Sequence, residues 1–295
     1  MGENDTLDEW AAWLLHQRDG DDPEQRQKDQ ELLLPLRQRV LDNAQIVPGE
    51  IVLDVGAGDG LIAFGALDRV GVEGRVIVSD VSDDLLSHTR SLATELGVEG
   101  RMSFVRAAAE DLSTIADASV DVVTTRSVLI YVDDKAAAFG AFHRVLKAGG
   151  RLSIFEPIIN YFPVSPDEFW GFDAGAVRDL VAKVWEHEGW VESSFASDPM
   201  MNFTEKDLAR CAEDAGFREV HVELRVDVEP GTCVVDWERM LNTSPNPKAH
   251  TVGEALRAAL TDEELARFEK QVRPLADAGR GTLRSAFAYL RAIKT

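Results

Sequence analysis

The chain has 295 residues, 45% of them hydrophobic, which is enough to bury the core of one large α/β domain or of two smaller domains. Because 31 lysines and arginines stand against 52 acidic residues, the net charge is −21, and this charge disfavours the phosphate backbone of DNA or RNA as a partner. The sequence shows neither a secretion signal nor an apolar stretch long enough to span a membrane, so we expect a cytoplasmic protein.

The two cysteines, Cys211 and Cys233, lie apart in the sequence. They permit one disulfide without requiring it, and their spacing is not that of a metal site. We therefore predict two ordinary thiols and no bound metal. No feature of the sequence indicates an oligomeric state.

The first 47 residues are predicted to be helical. Thr6 and Glu9 have the spacing of a capping box ahead of an amphipathic helix that contains Trp10 and Trp13. Pro35 interrupts the next helical pattern, so residues 25–43 are predicted to form two helical pieces or one kinked helix. We interpret residues 1–47 as a helical segment that either covers a ligand as a lid or packs as an ordinary part of the fold.

Residues 48–295 are predicted to form an α/β domain. Apolar runs alternate with helical patterns, and the first five predicted strands cover residues 51–55, 75–79, 102–106, 120–125 and 152–155. Such βα repeats indicate a parallel sheet with right-handed crossovers. The helix before the fifth strand is predicted to end at Gly149 and Gly150, and two more strands are predicted at 220–228 and 285–293.

Two insertions interrupt this alternation, at about 157–201 and 232–280. The first insertion contains eight aromatic residues between Tyr161 and Phe195. We predict that it closes, together with the N-terminal helices, over a flat or cationic ligand.

The most informative stretch is the apolar run Ile51–Val55, followed by three glycines in five residues, Gly56, Gly58 and Gly60. A buried strand, a glycine turn and a helix bring backbone N–H groups against a ligand. We expect a Cβ at Gly56 or Gly58 to stand where the ligand sits. A dinucleotide-binding fingerprint would have its third glycine one residue later, so the spacing argues against a nicotinamide cofactor.

Asp54 lies two residues before the first glycine and completes a pattern that resembles motif I of the class I S-adenosylmethionine (SAM) methyltransferases. The resemblance covers about residues 48 to 157. It implies a Rossmann-like, seven-stranded, mostly parallel sheet with helices on both faces and an antiparallel last strand. It also implies SAM as the cofactor, S-adenosylhomocysteine as its product, and a small-molecule acceptor similar to those of ubiquinone-biosynthesis and natural-product enzymes.

The resemblance further implies which positions bind the cofactor. They lie in the glycine loop and directly after the second, third and fourth strands: Asp54, Gly56, Ala57, Gly58, Asp80, Val81, Ala109, Glu110, Arg126 and Ser127. Asp80 is expected to accept both ribose hydroxyls. Ala108 stands where family members often carry an aspartate, so the Ala109 backbone and the Glu110 side chain are the remaining candidates for contacting adenine.

Three residues are candidates for catalysis. Glu156 ends the fifth strand, between the expected cofactor and acceptor sites. Its carboxylate could orient an acceptor amine or accept a proton, and a structural role is an equal alternative. Tyr161 and His187, in the first insertion, are the next candidates, although a surface position suits His187 as well.

We therefore predict an enzyme that transfers a methyl group from SAM to an O, N or C atom of an aromatic or cationic small molecule. Because a sulfonium is a good leaving group, positioning and desolvation can supply most of the acceleration of an in-line displacement. Two alternatives stay open: an NAD-dependent oxidoreductase on a similar sheet, and a SAM-binding protein of the same fold without turnover.

Overall fold

The computed structural model describes residues 7–18, 23–231 and 237–295. A seven-stranded sheet lies at its centre. The strands are β1 (Ile51–Val55), β2 (Arg75–Asp80), β3 (Met102–Arg106), β4 (Val120–Arg126), β5 (Leu146–Pro157), β6 (Arg218–Pro230) and β7 (Thr282–Ile293). A separate hairpin pairs Glu168–Phe169 with Phe172–Asp173.

The order of the strands in the sheet is β3-β2-β1-β4-β5-β7-β6. All pairs among strands β1 to β5 are parallel. Strand β7 is antiparallel to both of its neighbours, β5 and β6. The predicted seven-stranded sheet with an antiparallel last strand is confirmed. Its strand order reverses between β1 and β4, and such a switch point is where open α/β sheets place their ligands.

Helices cover both faces of the sheet. Within the described residues they are α1 (Glu9–Ala12), which continues as a π-helical turn (Trp13–Gln17), α2 (Pro23–Ala44), α3 (Leu61–Val70), α4 (Asp83–Glu95), α5 (Lys135–Val145), α6 (Arg178–His187), α7 (Glu205–Asp214), α8 (Trp237–Asn242), α9 (Val252–Ala259) and α10 (Asp262–Asp277).

The apolar run of β1 serves two cores at once. Val52 packs on one face of the sheet with residues of α2 and α3, such as Leu41 and Ile62. Leu53 points to the other face and packs with residues of α5 and α7, such as Phe139. Because both faces are covered, the strand has no alternation of polar and apolar residues.

Side-chain hydrogen bonds to nearby backbone N–H groups cap the first turns of several helices. The side chain of Ser82 accepts the N–H of Leu85 at the start of α4, and that of Asp134 accepts the N–H of Ala137 at the start of α5. Thr204 and Asp207 form a reciprocal capping box at the start of α7. At the N-terminus, Asp8 rather than Thr6 caps α1, and Thr6 itself lies outside the described residues.

Helix α2 is continuous from Pro23 to Ala44 and includes Pro35, so of the two predicted alternatives the segment forms one helix and not two helical pieces. One predicted boundary is wrong, because helix α5 ends at Val145, before the two glycines. Gly149 and Gly150 instead lie within β5, where they exchange backbone hydrogen bonds of 2.7 and 2.9 Å with Lys294.

The two insertions share a hydrophobic core of their own. Phe169 and Phe172 of the first insertion are buried together with Trp237 and Phe268 of the second. The ring centroids of Phe169 and Phe268 are 5.0 Å apart, in an edge-to-face arrangement. The insertions therefore form one helical unit beside the sheet.

No helix in residues 7–18, 23–231 or 237–295 is both long enough and apolar enough to cross a membrane. Cys211 is a free, half-buried thiol, and Cys233 lies outside the described residues.

Candidate functional site

The glycine loop turns the chain from β1 into α3. Gly56, Gly58 and Gly60 have φ angles of 62°, 56° and 85°, a backbone conformation that favours glycine. A Cβ added at Gly56 would lie 2.3 Å from Cγ2 of Val128, and one at Gly58 would lie 2.9 Å from Cδ2 of Leu14. Protein side chains, rather than the ligand expected from the sequence, are what a Cβ would meet at these two positions.

Asp80 ends β2 beside this loop. Its Oδ2 accepts the N–H of Gly58 at 2.9 Å, and its Oδ1 accepts the N–H of Ser82 at 3.0 Å. Asp80 is 6% exposed, and burial raises the pKa of its carboxyl group. Each carboxylate oxygen has a further lone pair, so Asp80 can still accept hydrogen bonds from ligand hydroxyls.

Asp54 lies within β1, beneath the loop. Its Oδ1 accepts the hydroxyl of Thr124 at 2.8 Å, whereas its Oδ2 is buried without a hydrogen-bond partner in the described part of the chain. Burial raises the pKa of Asp54 to about 7, although Thr124 and Arg126 favour the charged form. The Asp54 side chain therefore links β1 to β4, two residues before the first glycine of the loop.

A cavity of about 550 Å³ opens at the carboxyl ends of the strands. Two of the ten predicted cofactor-binding residues, Asp54 and Ala57, do not line it. The other eight do: Gly56, Gly58, Asp80, Val81, Ala109, Glu110, Arg126 and Ser127. The tertiary structure thus brings the loops after β1, β2, β3 and β4 to one site.

The N-terminal segment forms the opposite wall, which includes Trp10, Trp13 and Leu14. On one side, the carboxylate of Asp8 accepts the hydroxyl of Ser82 at 2.6 Å, which ties the segment to α4. On the other side, the indole N–H of Trp13 donates to the carbonyl oxygen of Ser244 at 3.0 Å, in the second insertion. The segment therefore bridges the cavity.

Tyr131 lies on the cavity wall in the segment after β4, and its ring meets that of Trp10 edge-to-face with centroids 5.1 Å apart. Burial, and then the negative charge of Glu156, raises the pKa of Tyr131 to about 12, so its hydroxyl stays protonated at neutral pH. Tyr131 is not among the residues predicted from the sequence, although its position after a parallel strand is a usable signal. Arg18 and Lys248 also line the cavity without having been predicted, and neither has a local sequence signal.

Arg126 ends β4 and also lines the cavity. It forms no salt bridge or hydrogen bond within the described residues. Burial lowers the pKa of its guanidinium, and the positive charge of Arg18 acts in the same direction, against the nearby carboxylates of Asp59 and Asp54. Arg126 therefore presents a cation to whatever occupies the cavity.

Glu156 has a different position from the one predicted. It is fully buried and does not line the cavity. Its Oε1 accepts the N–H groups of Val128 and Leu129 at 2.9 Å each, and its Oε2 accepts that of Ile130 at 3.0 Å. The carboxylate thus holds the segment after β4 instead of facing an acceptor. Burial raises its pKa to about 7 in spite of these three hydrogen bonds.

The other two catalytic candidates also lie away from the cavity. Tyr161 is 45% exposed and packs edge-to-face against Phe162. His187 ends α6, and its ring lies 4.0 Å from the carboxylate of Glu188. Neither side chain lines the cavity, so neither is placed to act on a ligand there.

The aromatic residues of the first insertion do not line the cavity either. Phe169 and Phe172 are buried in the core shared by the insertions, and Trp170 and Trp185 pack against that core. The insertion contributes Pro157, Ile159 and Met200 to the cavity instead. Burial of large apolar side chains explains why the aromatic residues of the insertion lie in this core. The aromatic residues that do line the cavity are Trp10, Trp13 and Tyr131.

The residues at the strand ends fit SAM. Asp80 lines the cavity and keeps lone pairs that can accept ribose hydroxyls. Arg126 offers a carboxylate a cation that has no hydrogen-bond or salt-bridge partner among the described residues. Among the described residues, no group of three or more histidine, cysteine, aspartate or glutamate side chains is placed to hold a metal ion.

Comparison with known proteins agrees with this geometry. The sequence profile of the ubiE/COQ5 methyltransferase family matches residues 35–233. The ubiquinone/menaquinone biosynthesis C-methyltransferase UbiE of Klebsiella pneumoniae is 32% identical over 183 residues, which cover 61% of this chain and 71% of that protein. The aklanonic acid methyltransferase DauC of a Streptomyces species is 27% identical over 196 residues, which cover 63% of this chain and 83% of the relative.

A solved structure is similar as well. Phosphoethanolamine N-methyltransferase 2 of Haemonchus contortus, in complex with S-adenosyl-L-methionine, aligns with a TM-score of 0.53 and 16% sequence identity. The alignment covers 97% of this chain and 56% of that one. At this level of identity the similarity shows the fold alone.

Proposed function

The chain belongs to the ubiE/COQ5 methyltransferase family, and from this premise we propose how its cavity binds SAM and a flat, aromatic acceptor. The protein is a SAM-dependent methyltransferase that acts on a small molecule. Family membership argues against the two alternatives, an NAD-dependent oxidoreductase and a binding protein without turnover. The acceptor, the site residues and the role of the N-terminal segment are the parts that we propose.

The observation that carries the proposal is that two kinds of residue line one cavity, and we assign them to two ends. To the first end we assign the backbone groups and polar side chains at Gly56, Gly58, Asp80 and Ser127. To the second end we assign the aromatic and apolar residues Trp10, Trp13, Tyr131, Ile159, Met200 and Pro245. The first end suits a nucleoside with a charged tail, and the second suits a planar ring.

Each polar group at the first end has a proposed partner in the cofactor. Asp80 accepts the ribose hydroxyls, and the Ala109 backbone with the Glu110 side chain lies beside the adenine. Arg126 pairs with the carboxylate of the methionine part, and the backbone near Ser127 holds its amine. Asp54 and Ala57 act indirectly, by supporting the glycine loop.

SAM, when bound, supplies a methyl group on a sulfonium, which an acceptor atom can displace directly. The work left to the protein is then to place the acceptor in line and to exclude water. Trp10, Trp13 and Tyr131 supply the flat surfaces that orient a ring. The hydroxyl of Tyr131, which stays protonated, can donate a hydrogen bond to an acceptor oxygen.

We also propose that residues 1–47 include a lid and that residues 48–295 form the methyltransferase domain. The support is the position of the N-terminal segment, which crosses the cavity and is held at both sides, by Ser82 and by Ser244. We propose that this segment moves when a ligand of the size of SAM enters or leaves the cavity.

Titration calorimetry tests the proposal. S-adenosylhomocysteine should bind in the micromolar range and NAD should not bind measurably. With S-adenosylhomocysteine present, 2-naphthol should quench tryptophan fluorescence, and this quenching should weaken in Trp10→Phe and Trp13→Phe. The control is Trp185→Phe, which alters a tryptophan outside the cavity. Equal quenching in all three variants would place the aromatic acceptor elsewhere.

A further inference from the structure

Strand β6 forms one edge of the seven-stranded sheet. Among the described residues no strand pairs with its outer side, so about half of its backbone N–H and C=O groups point away from β7. From His221 to Pro230 it pairs with β7 without a register shift, and this regular stretch is longer than a mean strand of about 5–6 residues. Such an edge can add a strand from another polypeptide.

The two faces of β6 carry different side chains. One face has a row of apolar, half-buried residues that pack against the core around Phe139: Val220, Val222, Leu224 and Val226. The other face has a row of polar residues, most of them exposed: His221, Glu223, Arg225 and Asp227. A strand added at this edge can therefore continue an apolar row on one face and a polar row on the other.

The charges of the polar row cancel. Glu223 forms an ion pair with Arg39 of α2, whose guanidinium lies 4.4 Å from the centroid of the Tyr289 ring. Arg225 forms an ion pair with Asp227 at 2.6 Å. Two positive and two negative side chains thus meet on this edge, in a protein whose net charge is −21. A second copy of the chain is repelled less here than by the average surface.

The order of these charges is self-complementary. When β6 pairs antiparallel with β6 of a second copy about a twofold axis, residues equally far from the axis lie opposite each other on the same face of the sheet. With the axis at Leu224, Arg225 lies opposite the partner's Glu223, and Asp227 lies opposite the partner's His221, which can donate a hydrogen bond to it. Each of these contacts occurs twice.

Other positions of the axis lose this complementarity. An axis at Arg225 or at Glu223 places that residue opposite its own copy, and an axis at Val226 places Glu223 opposite the partner's Glu229. Like charges directly opposite each other destabilise a strand pair, whereas opposite charges stabilise it. The axis at Leu224 is therefore the favoured register.

A β-bulge marks the end of the paired stretch. With the axis at Leu224, one pair has like charges, Glu219 with the partner's Glu229. The pairing of β6 with β7 shifts register between Arg218 and His221, and Glu219 has a φ angle of 50°. The strand leaves regular geometry at this point, so the regular stretch that can pair runs over residues 220–228 and does not include Glu219.

We propose that two copies of this chain associate through β6 into a dimer with a twofold axis at Leu224 and one continuous sheet. Charges of opposite sign then alternate across the interface, from Arg39 and Glu223 to the partner's Arg225 and the partner's Asp227. Because this axis is perpendicular to the sheet, it reverses the strand directions. The two cavities at the carboxyl ends of the strands therefore open at opposite edges of the dimer, and both stay accessible.

The inference does not depend on the proposed function, and sedimentation velocity of the full chain tests it. The wild type should show a monomer–dimer equilibrium at about 1–100 μM. Arg225→Glu and Glu223→Arg should each weaken the dimer at least about tenfold, because each places like charges opposite each other twice. Glu223→Gln, which removes a charge without reversing it, should weaken the dimer by about threefold or less.

The decisive sample is an equimolar mixture of Arg225→Glu and Glu223→Arg. In a dimer of one copy of each, both substituted positions face the opposite charge, so the mixture should regain dimerisation that neither variant has alone. Recovery would also show that both variants are folded. The matched control is Arg273→Glu, which reverses the charge of an exposed arginine paired with Glu238 on α8 and should leave the dimer unchanged.

Three results would overturn the inference. The first is a wild type that stays monomeric at about 100 μM, which would leave this edge to a strand of a different protein. The second is dimerisation of Arg225→Glu and Glu223→Arg as tight as that of the wild type. The third is a mixture of these two variants that remains as monomeric as its components.

Discussion

The carboxylate of Glu156 accepts a hydrogen bond from the backbone N–H of Val128 at 2.9 Å. Val128 in turn fills the space beside Gly56, where an added Cβ would lie 2.3 Å from its Cγ2. Through this contact, the buried Glu156 of β5 fixes the position of Val128 and of its segment relative to the glycine loop. We therefore interpret Glu156 as a positioning residue for the cofactor end of the cavity.

Replacing Glu156 with glutamine tests this interpretation. A glutamine has one oxygen and one NH₂ group, so it cannot accept all three backbone N–H groups, and one buried donor loses its partner. We expect the free energy of unfolding to fall by about 1–3 kcal/mol, with a matching loss of affinity for S-adenosylhomocysteine. Denaturant unfolding and calorimetry measure the two effects.

The control for Glu156→Gln is Glu223→Gln, an exposed glutamate on β6 that pairs with Arg39. It should change both quantities little. A large loss of turnover in Glu156→Gln with unchanged stability and cofactor affinity would restore Glu156 as a catalytic base.

Asp80→Ala should weaken the binding of S-adenosylhomocysteine. The change removes the proposed acceptor of the ribose hydroxyls and leaves the N–H groups of Gly58 and Ser82 without their partner. We expect a loss of about 1–3 kcal/mol, or about 5- to 150-fold in affinity, by calorimetry. Asp83→Ala, which alters an exposed acid in the first turn of α4, should leave the affinity near that of the wild type. Unchanged affinity in folded Asp80→Ala would remove Asp80 from the site.

Trp13→Phe should loosen the N-terminal segment. The substitution keeps an aromatic ring but removes the indole N–H that donates to Ser244. Hydrogen exchange of residues 13–18 and 243–249 should accelerate, and S-adenosylhomocysteine should dissociate about 3- to 10-fold faster, as expected for the loss of one hydrogen bond. A variant with the wild-type exchange pattern and dissociation rate would show that this contact does not hold a lid.

Asp54→Asn should change how stability depends on pH. The pKa of Asp54 is raised to about 7 in the folded protein, so the folded state binds more protons than the unfolded state between about pH 4 and pH 7. The contribution of Asp54 to the free energy of unfolding is therefore present at low pH and is lost as the pH rises through 7. Because asparagine does not titrate, the variant does not lose stability in this way.

Denaturant unfolding at pH 5 and pH 8 measures the difference between Asp54→Asn and the wild type. We expect the variant to gain roughly 2–4 kcal/mol relative to the wild type between the two pH values. A difference that stays constant would mean that Asp54 has an ordinary pKa in the folded protein.

The amino-acid sequence by itself determined the sheet and the cofactor end of the site. The strand Ile51–Val55, the glycines that follow it and the Ser82 cap are set by short-range properties: side-chain periodicity, positive φ angles and hydrogen bonds to neighbouring backbone groups. The position of Asp80 follows from them, because parallel strands end at the same edge of the sheet.

Only the tertiary structure decided what forms the other end of the site. The first insertion has the aromatic composition of a ligand pocket, yet Phe172 is buried with Trp237 and Phe268, which lie much later in the sequence. Arg18 and Lys248 line the same cavity although they lie far apart in the sequence, and the N–H of Ser244 donates to the carbonyl oxygen of Gln17, a contact that no local pattern reports. Free energies of packing between distant segments determine which apolar surfaces bury one another. They thereby also determine which polar groups remain at a cavity.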